Sequence, residues 1–501
     1  MIKFAKTEYG VVEGITGWDP AVRVFRGIPY AAPPVGELRW RPPQPPKPWD
    51  GVLKAFEFPN ICFQRPDTIK AEVNSEFDED CLYLNVWTCA EETGEKRPVL
   101  VYVHGGGYNM GCGHYHSYDG EAMAKQGIVM VTFNYRLNLF GYMCHPELKA
   151  ESEHNACGNY GLLDQIEVLK WVHNNIAAFG GDPDNVTVMG LSAGAGSTRA
   201  LCDSPLTKGL ITRAATLSVG GHIKSPDYIT TDGLPDEECY SDLKELFGVS
   251  TIAEARALSG EELYGRFLER TKHLPFHAVF FRPVVDGYSI PDTMWNIQES
   301  GRHADIQYMI GHSADEMMLP NMANKDEEKI RAEGAKVYEG EALEKYVALK
   351  MADETENYKK AGYSLGAEHS RAAALGFCQL QLDLGRKPVY NYIMSRKVPG
   401  DPKGSFHGSD LYYHFKTMSR SWQDWNGDDF ELANITSRMW ANYIKTGDPN
   451  GPGLPYWAPY TDENPYTLVI DAKKTSMQVV EDTPLVKFLT EYTRNVKHQG
   501  K

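Results

Sequence analysis

Ser192 lies between two glycines in Gly190-Leu191-Ser192-Ala193-Gly194, directly after the β-forming pair Val188-Met189. A serine there can attack a carbonyl carbon, because strand, very tight turn and helix in succession push its hydroxyl out at the top of a sheet. Glycine is required on both sides, since a Cβ would strike the neighbouring strand or helix. The positive end of the following helix then lies close to the hydroxyl. A second chemical feature stands upstream, where the apolar run Pro98 to Val103 leads into His104-Gly105-Gly106-Gly107-Tyr108. Successive glycines leave backbone N–H groups uncovered. Those of Gly106 and Gly107, with that of Ala193, would hold the negative oxygen of a tetrahedral intermediate. The five glycines between Gly105 and Gly113 do not form a phosphate loop, because the Gly-Lys-Ser/Thr ending is absent.

A serine hydroxyl is a poor nucleophile at neutral pH, so a base must take its proton and a carboxylate must orient that base. Both are expected after Ser192. The histidines there are His222, His273, His277, His303, His312, His369, His407, His414 and His498. His407 stands out in the short loop Gly404-Ser405-Phe406-His407-Gly408, which follows the strand-like Val389 to Met394. Another strand-like run, Ile306 to Gly311, ends in His312-Ser313-Ala314-Asp315-Glu316, where either carboxylate could serve. Serine, then acid, then histidine is the chain order of an α/β-hydrolase.

These residues sit among longer motifs. They include Phe25-Arg26-Gly27-Ile28-Pro29-Tyr30-Ala31, Glu79-Asp80-Cys81-Leu82-Tyr83-Leu84-Asn85, Phe133-Asn134-Tyr135-Arg136, Asn159-Tyr160-Gly161-Leu162-Leu163-Asp164-Gln165 and Thr446-Gly447-Asp448-Pro449-Asn450. With these motifs along nearly its whole length, the chain resembles the type-B carboxylesterases, the family of para-nitrobenzyl esterases and cholinesterases. The resemblance implies an α/β-hydrolase fold, a large and mostly parallel central sheet flanked by helices. It also implies a serine esterase acting through an acyl-enzyme, with Ser192 as nucleophile, His407 as base and Glu316 as acid, since Glu316 and not Asp315 falls at the family's acid position. Small ester molecules are the implied partners, and no cofactor or metal is implied. Amides and carbamates are the alternative substrates for the same machinery. Adhesion proteins of the neuroligin kind share the scaffold but lack a complete catalytic set, whereas serine, acid, histidine and glycine loop all stand here.

Three departures narrow the expectation. Leu191 precedes the nucleophile where many relatives carry glutamate. Between Cys62 and Cys81 there is no tryptophan to stack on a quaternary ammonium. Of the family's several paired cysteines, only Cys62 and Cys81 stand where a disulfide is implied. Small neutral esters, alkyl, aryl or hydroxycinnamoyl, are therefore expected ahead of choline esters.

The elements that must position this chemistry show in the periodicities. Leu162, Leu163, Ile166, Leu169, Val172 and Ile176 recur at helical spacing before Gly180-Gly181, which predicts an amphipathic helix packed on the sheet ahead of the nucleophile strand. Ile128 to Phe133 and Ala214 to Val219 read as buried strands. Residues 235–272 and 324–386, rich in Glu, Lys, Ala and Leu, read as helical insertions walling the site. Met309, Met317, Met318 and Met322 flank the acid and could line an acyl pocket. His114-Tyr115-His116 would place two imidazoles on one face of a strand, yet no carboxylate or cysteine stands at ligand spacing, so no metal site is expected.

Motif strands recur without a linker, so residues 1–501 are expected to form one domain. The net charge of −16 disfavours nucleic acid and anionic membranes as partners. The N-terminal residues lack a signal-type apolar run and no membrane-length apolar stretch occurs, so a cytoplasmic location is expected. Nine cysteines without a C-x-x-C pair disfavour zinc and a dense disulfide framework. The oligomeric state is not legible.

Overall fold

The computed structural model describes residues 1–65, 73, 75–226, 234–273, 281–316, 326–352 and 365–499. Two compact units emerge, one of Met1–Thr212 with Thr231–Ile297 and one of Arg213–Thr230 with Gln298–Lys501.

In the first unit the strands are Phe4–Lys6 (β1), Val11–Thr16 (β2), Arg23–Pro29 (β3), Val52–Ala55 (β4), Tyr83–Thr88 (β5), Arg97–Val103 (β6), Val129–Phe133 (β7) and Gly181–Leu191 (β8). They run in the order β1-β2-β3-β5-β7-β6-β8, with β4 beside β2. Early neighbours pair antiparallel, whereas β6 is parallel to both β7 and β8. Every residue of β7 and the last five of β6 are buried, as parallel strands covered on both faces should be. Register does the positioning, because Val103 pairs with Gly190. The glycine loop and the serine turn therefore leave the sheet at the same edge.

The second unit holds Arg213–Leu217 (β9), Gln307–Ser313 (β10), Tyr390–Met394 (β11), Thr467–Ile470 (β12) and Ser476–Gln478 (β13), all parallel except for the last pair. Ser313 pairs with Met394, so the acid-bearing turn and the His407 loop also leave from one edge. The long helix Leu365–Asp383 packs against β10, and the helix Pro484–Gln499 packs against it in turn. Their contact is part of a core built on Ala372, Ala373, Leu485, Phe488, Leu489 and Tyr338.

The expected strands are present, and helices occupy described parts of residues 235–272 and 324–386, with two differences from the sequence reading. The helix Tyr160–Asn175 is amphipathic as expected, with Glu167, Lys170, His173 and Asn174 along its open face, but burial extends to the polar Asp164 and Gln165. Both of these have internal partners. Asp164 accepts from the guanidinium and backbone N–H of Arg136 at 2.7–3.0 Å, and Gln165 accepts no water-facing role but donates to Ser197 at 3.1 Å. The His114 to His116 segment is not a strand. His114 is buried, stacked on Phe58 and bonded to Ser75, while His116 is exposed at the start of a short 3-10 turn. Residues 236–271 carry the short 3-10 turn Asp236–Cys239 and three helices, Leu243–Phe247, Ile252–Ala257 and Gly260–Thr271. The second expected insertion contains Glu327–Gly334, Gly340–Met351 and Leu365–Asp383, with 324–325 and 353–364 outside the described residues.

Candidate active site

The serine half of the predicted residues belongs to the first unit. β8 ends at Leu191 and the helix Ala193–Asp203 begins one residue after Ser192, which takes φ 59° and ψ −128°. That backbone conformation is one L-residues avoid, and it persists only where surroundings over-determine it. Here the surroundings are backbone. A Cβ on Gly190 would come 2.2 Å from the Gly194 carbonyl oxygen, and one on Gly194 would come 2.1 Å from that of Val103. The turn can close this tightly only because neither residue has a side chain.

The glycine loop is fitted to the same turn. A Cβ on Gly105 would lie 2.6 Å from the Leu191 oxygen and 3.1 Å from Ser192 Cβ. Beneath the loop, His104 is buried and stacked on Tyr135, whose hydroxyl donates to the His104 carbonyl at 2.9 Å. Burial pushes this imidazole down to about 4, so it stays neutral, with Nδ1 assigned as donor to the Gly105 oxygen. Asn109 Nδ2 donates to the carbonyls of Gly107 and Phe281, and Gln64 clamps Gly111 through both its N–H and its carbonyl. Sequence reading missed Gln64, Asn109 and Tyr135. Only the Tyr135 motif carried a signal.

The predicted acid and base, the other half of those residues, belong to the second unit. Glu316 follows the end of β10 with φ 35° and is buried. Its Oε1 accepts the Ser313 N–H at 3.0 Å, and its Oε2 meets His407 Nδ1 in a short hydrogen bond. The structure thus brings the two predicted residues together, while Asp315 Oδ2 accepts the Ser405 N–H at 2.7 Å instead. Burial alone would lower the His407 pKa. The Glu316 carboxylate, with a further contribution from Asp410, outweighs it and holds the imidazole above its usual value. His407 Nε2 is buried and has no hydrogen-bond partner among the described residues.

The remaining histidines are engaged elsewhere. His222 sits between Gln298 and Glu299, His303 meets Gln381, and His312 Nδ1 meets the Ser313 carbonyl. His414 stacks on Trp440 and lies 3.4 Å from Asp410, and His273 is exposed beyond a helix end. His369 is buried; His277 and the side chain of His498 lie outside the described residues, as do Met317, Met318 and Met322. Asp410, whose Oδ2 accepts from the Tyr392 hydroxyl at 2.9 Å, was not foreseen. Leu191 is nearly buried at the end of β8. Cys62 and Cys81 are free thiols hydrogen-bonded to each other. No group of three potential metal-ligating side chains occurs among the described residues, nor does any of their helices have the length and apolarity to cross a membrane.

This geometry can be set beside known proteins. The sequence pattern of the carboxylesterase family matches residues 3–488. A fumonisin B1 esterase of Sphingopyxis macrogoltabida is 31% identical, over 90% of this chain and 83% of that one. Liver carboxylesterase 1F of Rattus norvegicus is 31% identical, over 92% of this chain and 88% of its own. Among solved structures, a PNB esterase superposes with a TM-score of 0.80 at 27% identity, over 99% of both chains. A Geobacillus stearothermophilus carboxylesterase, EST55, superposes with a TM-score of 0.75 at 30% identity, over 97% of this chain and 99% of its own. The likeness extends over the whole length, and the fold is that of the α/β-hydrolases.

Proposed function

We propose, from the premise that this chain belongs to the carboxylesterase family and is a carboxylic ester hydrolase, that it cleaves small neutral esters through an acyl-enzyme on Ser192. The observation that carries the reading is the Glu316–His407 pair, with Nδ1 engaged by a carboxylate and Nε2 without a hydrogen-bond partner among the described residues. An imidazole so oriented can accept one proton at Nε2 and hold it as a charged ring. In this reading His407 Nε2 removes the Ser192 hydroxyl proton as Oγ bonds to the ester carbonyl carbon. The N–H groups of Gly106, Gly107 and Ala193 stabilise the resulting oxyanion. The C–O bond to the alcohol then breaks, and His407 returns the proton to the leaving oxygen. Water repeats the sequence on the acyl-enzyme, releasing the acid and free Ser192.

Substrate preference follows from what the serine half lacks. Leu191 offers no negative charge beside the nucleophile, and no indole stands between Cys62 and Cys81. A quaternary ammonium would leave water there without compensation.

Ser192→Ala tests the reading. It should lower kcat on the order of 10⁶-fold while leaving the thermal midpoint at or above that of the parent. A fluorophosphonate probe should add its mass to the peptide holding Ser192 and to no other serine. Activity above about a hundredth of the parent's in the variant, or labelling elsewhere, overturns it.

A further inference from the structure

Asp315 adjoins the acid yet faces a different partner. Its Oδ2 accepts the Ser405 N–H at 2.7 Å, and its own N–H donates to the Ser405 carbonyl at 3.0 Å. One residue therefore grips another in both directions. Ser405 is anchored a second time, through its buried hydroxyl to the Met394 carbonyl at 2.6 Å, and the Ala314 N–H donates to that same carbonyl at 2.8 Å. The turn after β10, the end of β11 and the loop before His407 are thus laced through a single backbone oxygen. Gly404, with φ 72°, completes the fit, since a Cβ there would lie 2.1 Å from Asp315 Oδ2. The carboxylate occupies the space a side chain at 404 would need. Burial raises the Asp315 pKa, and the Ser405 N–H partly offsets that effect.

We propose that Asp315 is a positioning residue for His407: by holding Ser405 it fixes the loop from which the imidazole meets Glu316. This rests on the reading of Glu316 and His407 as acid and base. Truncation at 315 leaves both of those side chains in the chain but frees the loop two residues before the imidazole. The loss should fall on turnover, because none of the groups assigned to substrate binding is touched.

The test uses the full chain, four single variants and the Asp315→Ala/Gly404→Ala double variant, with 4-nitrophenyl acetate turnover and the far-downfield imidazole N–H proton of His407 as parallel readouts. Asp315→Ala should lower kcat roughly 10- to 100-fold with KM little changed, the size of effect a misplacement near 1 Å produces. Its downfield resonance should shift or broaden. Asp315→Asn keeps an oxygen acceptor for the Ser405 N–H, and should restore both the turnover and the resonance. Glu316→Gln supplies the reference in which the bonded proton loses its carboxylate. Gly404→Ala should resemble Asp315→Ala, because the new methyl displaces the carboxylate, and the two losses should combine to less than their sum. Parental turnover with an unmoved resonance in Asp315→Ala overturns the proposal, as does an Asp315→Asn variant as impaired as Glu316→Gln. If Asp315→Ala does not fold, the Gly404→Ala and Asp315→Asn pair decides by the same two readouts. The resonance reports on His407 whether or not any ester is turned over. An inert parent would therefore sink the functional reading, while the resonance would still decide whether Asp315 places the His407 imidazole.

Discussion

Around Ser192 the backbone is positioned by absent side chains, at Gly190, Gly194 and Gly105, each of which would place a Cβ 2.1–2.6 Å from a main-chain oxygen. Around His407 the work is done by side chains that are present, with Glu316, Asp315, Ser405 and Tyr392 each making a directed hydrogen bond. The serine half is consequently held by steric exclusion. The acid and base half concentrates the ionisable groups and tolerates change in proportion to the bond removed. Steric exclusion by backbone cannot relax, whereas a lost hydrogen bond leaves a loop that still occupies roughly its place.

The largest expected effect that separates the halves after loss of Ser192 itself is Glu316→Gln, which should cost roughly 10³- to 10⁴-fold in kcat because the imidazole loses its orienting charge. The same variant tests the electrostatics. In the proposed mechanism neutral His407 is the base, so kcat/KM should rise with pH through its pKa, which Glu316 holds above the usual histidine value. Removing that carboxylate should move the acidic limb to lower pH. A limb that stays in place would show that Glu316 does not set the base.

Gly105→Ala should come next, with kcat reduced about 10²-fold, comparable to losing one oxyanion donor, because the new methyl pushes the loop off Leu191 and Ser192. Its acidic limb should not move, since the change leaves the second unit's carboxylates alone. Parental kcat in this variant would mean that the loop can retreat without harm, and the contrast between the halves would fail.

The smallest effect concerns charge on the substrate. Neutral acetyl and butyryl esters should exceed their choline counterparts in kcat/KM by about tenfold, or about 1.4 kcal/mol. Leu191→Glu, which puts a carboxylate beside Ser192, should narrow that gap. A choline preference in the parent would reveal a cation site in the serine half.

The strand-to-loop junctions were legible because three glycines after an apolar run, or a serine between two, admit few backbone solutions. What the sequence could not display were partners distant along the chain. Asp164 reads as a polar break in a helical stripe until Arg136 is found against it, 28 residues away. Asp410 lies three residues beyond His407 and was overlooked, as nothing local distinguishes a buried carboxylate from a solvated one. Asp315 and Glu316 are equivalent by spacing, and only the resemblance favoured Glu316; the hydrogen bonds now separate them by atom. The His114 segment misled because its tight packing is set from outside, where a Cβ on Gly113 would fall 2.6 Å from the Phe133 backbone.

Ser192 carries a further consequence through its φ of 59°. A residue held in such a region costs on the order of 1–3 kcal/mol, and glycine there escapes most of that cost. Ser192→Gly should therefore give a protein that melts later than its parent and does nothing. Selection for heat resistance with no demand for turnover would drift toward that glycine. On the proposed mechanism, a serine stands here against the preference of its own backbone because turnover requires its hydroxyl.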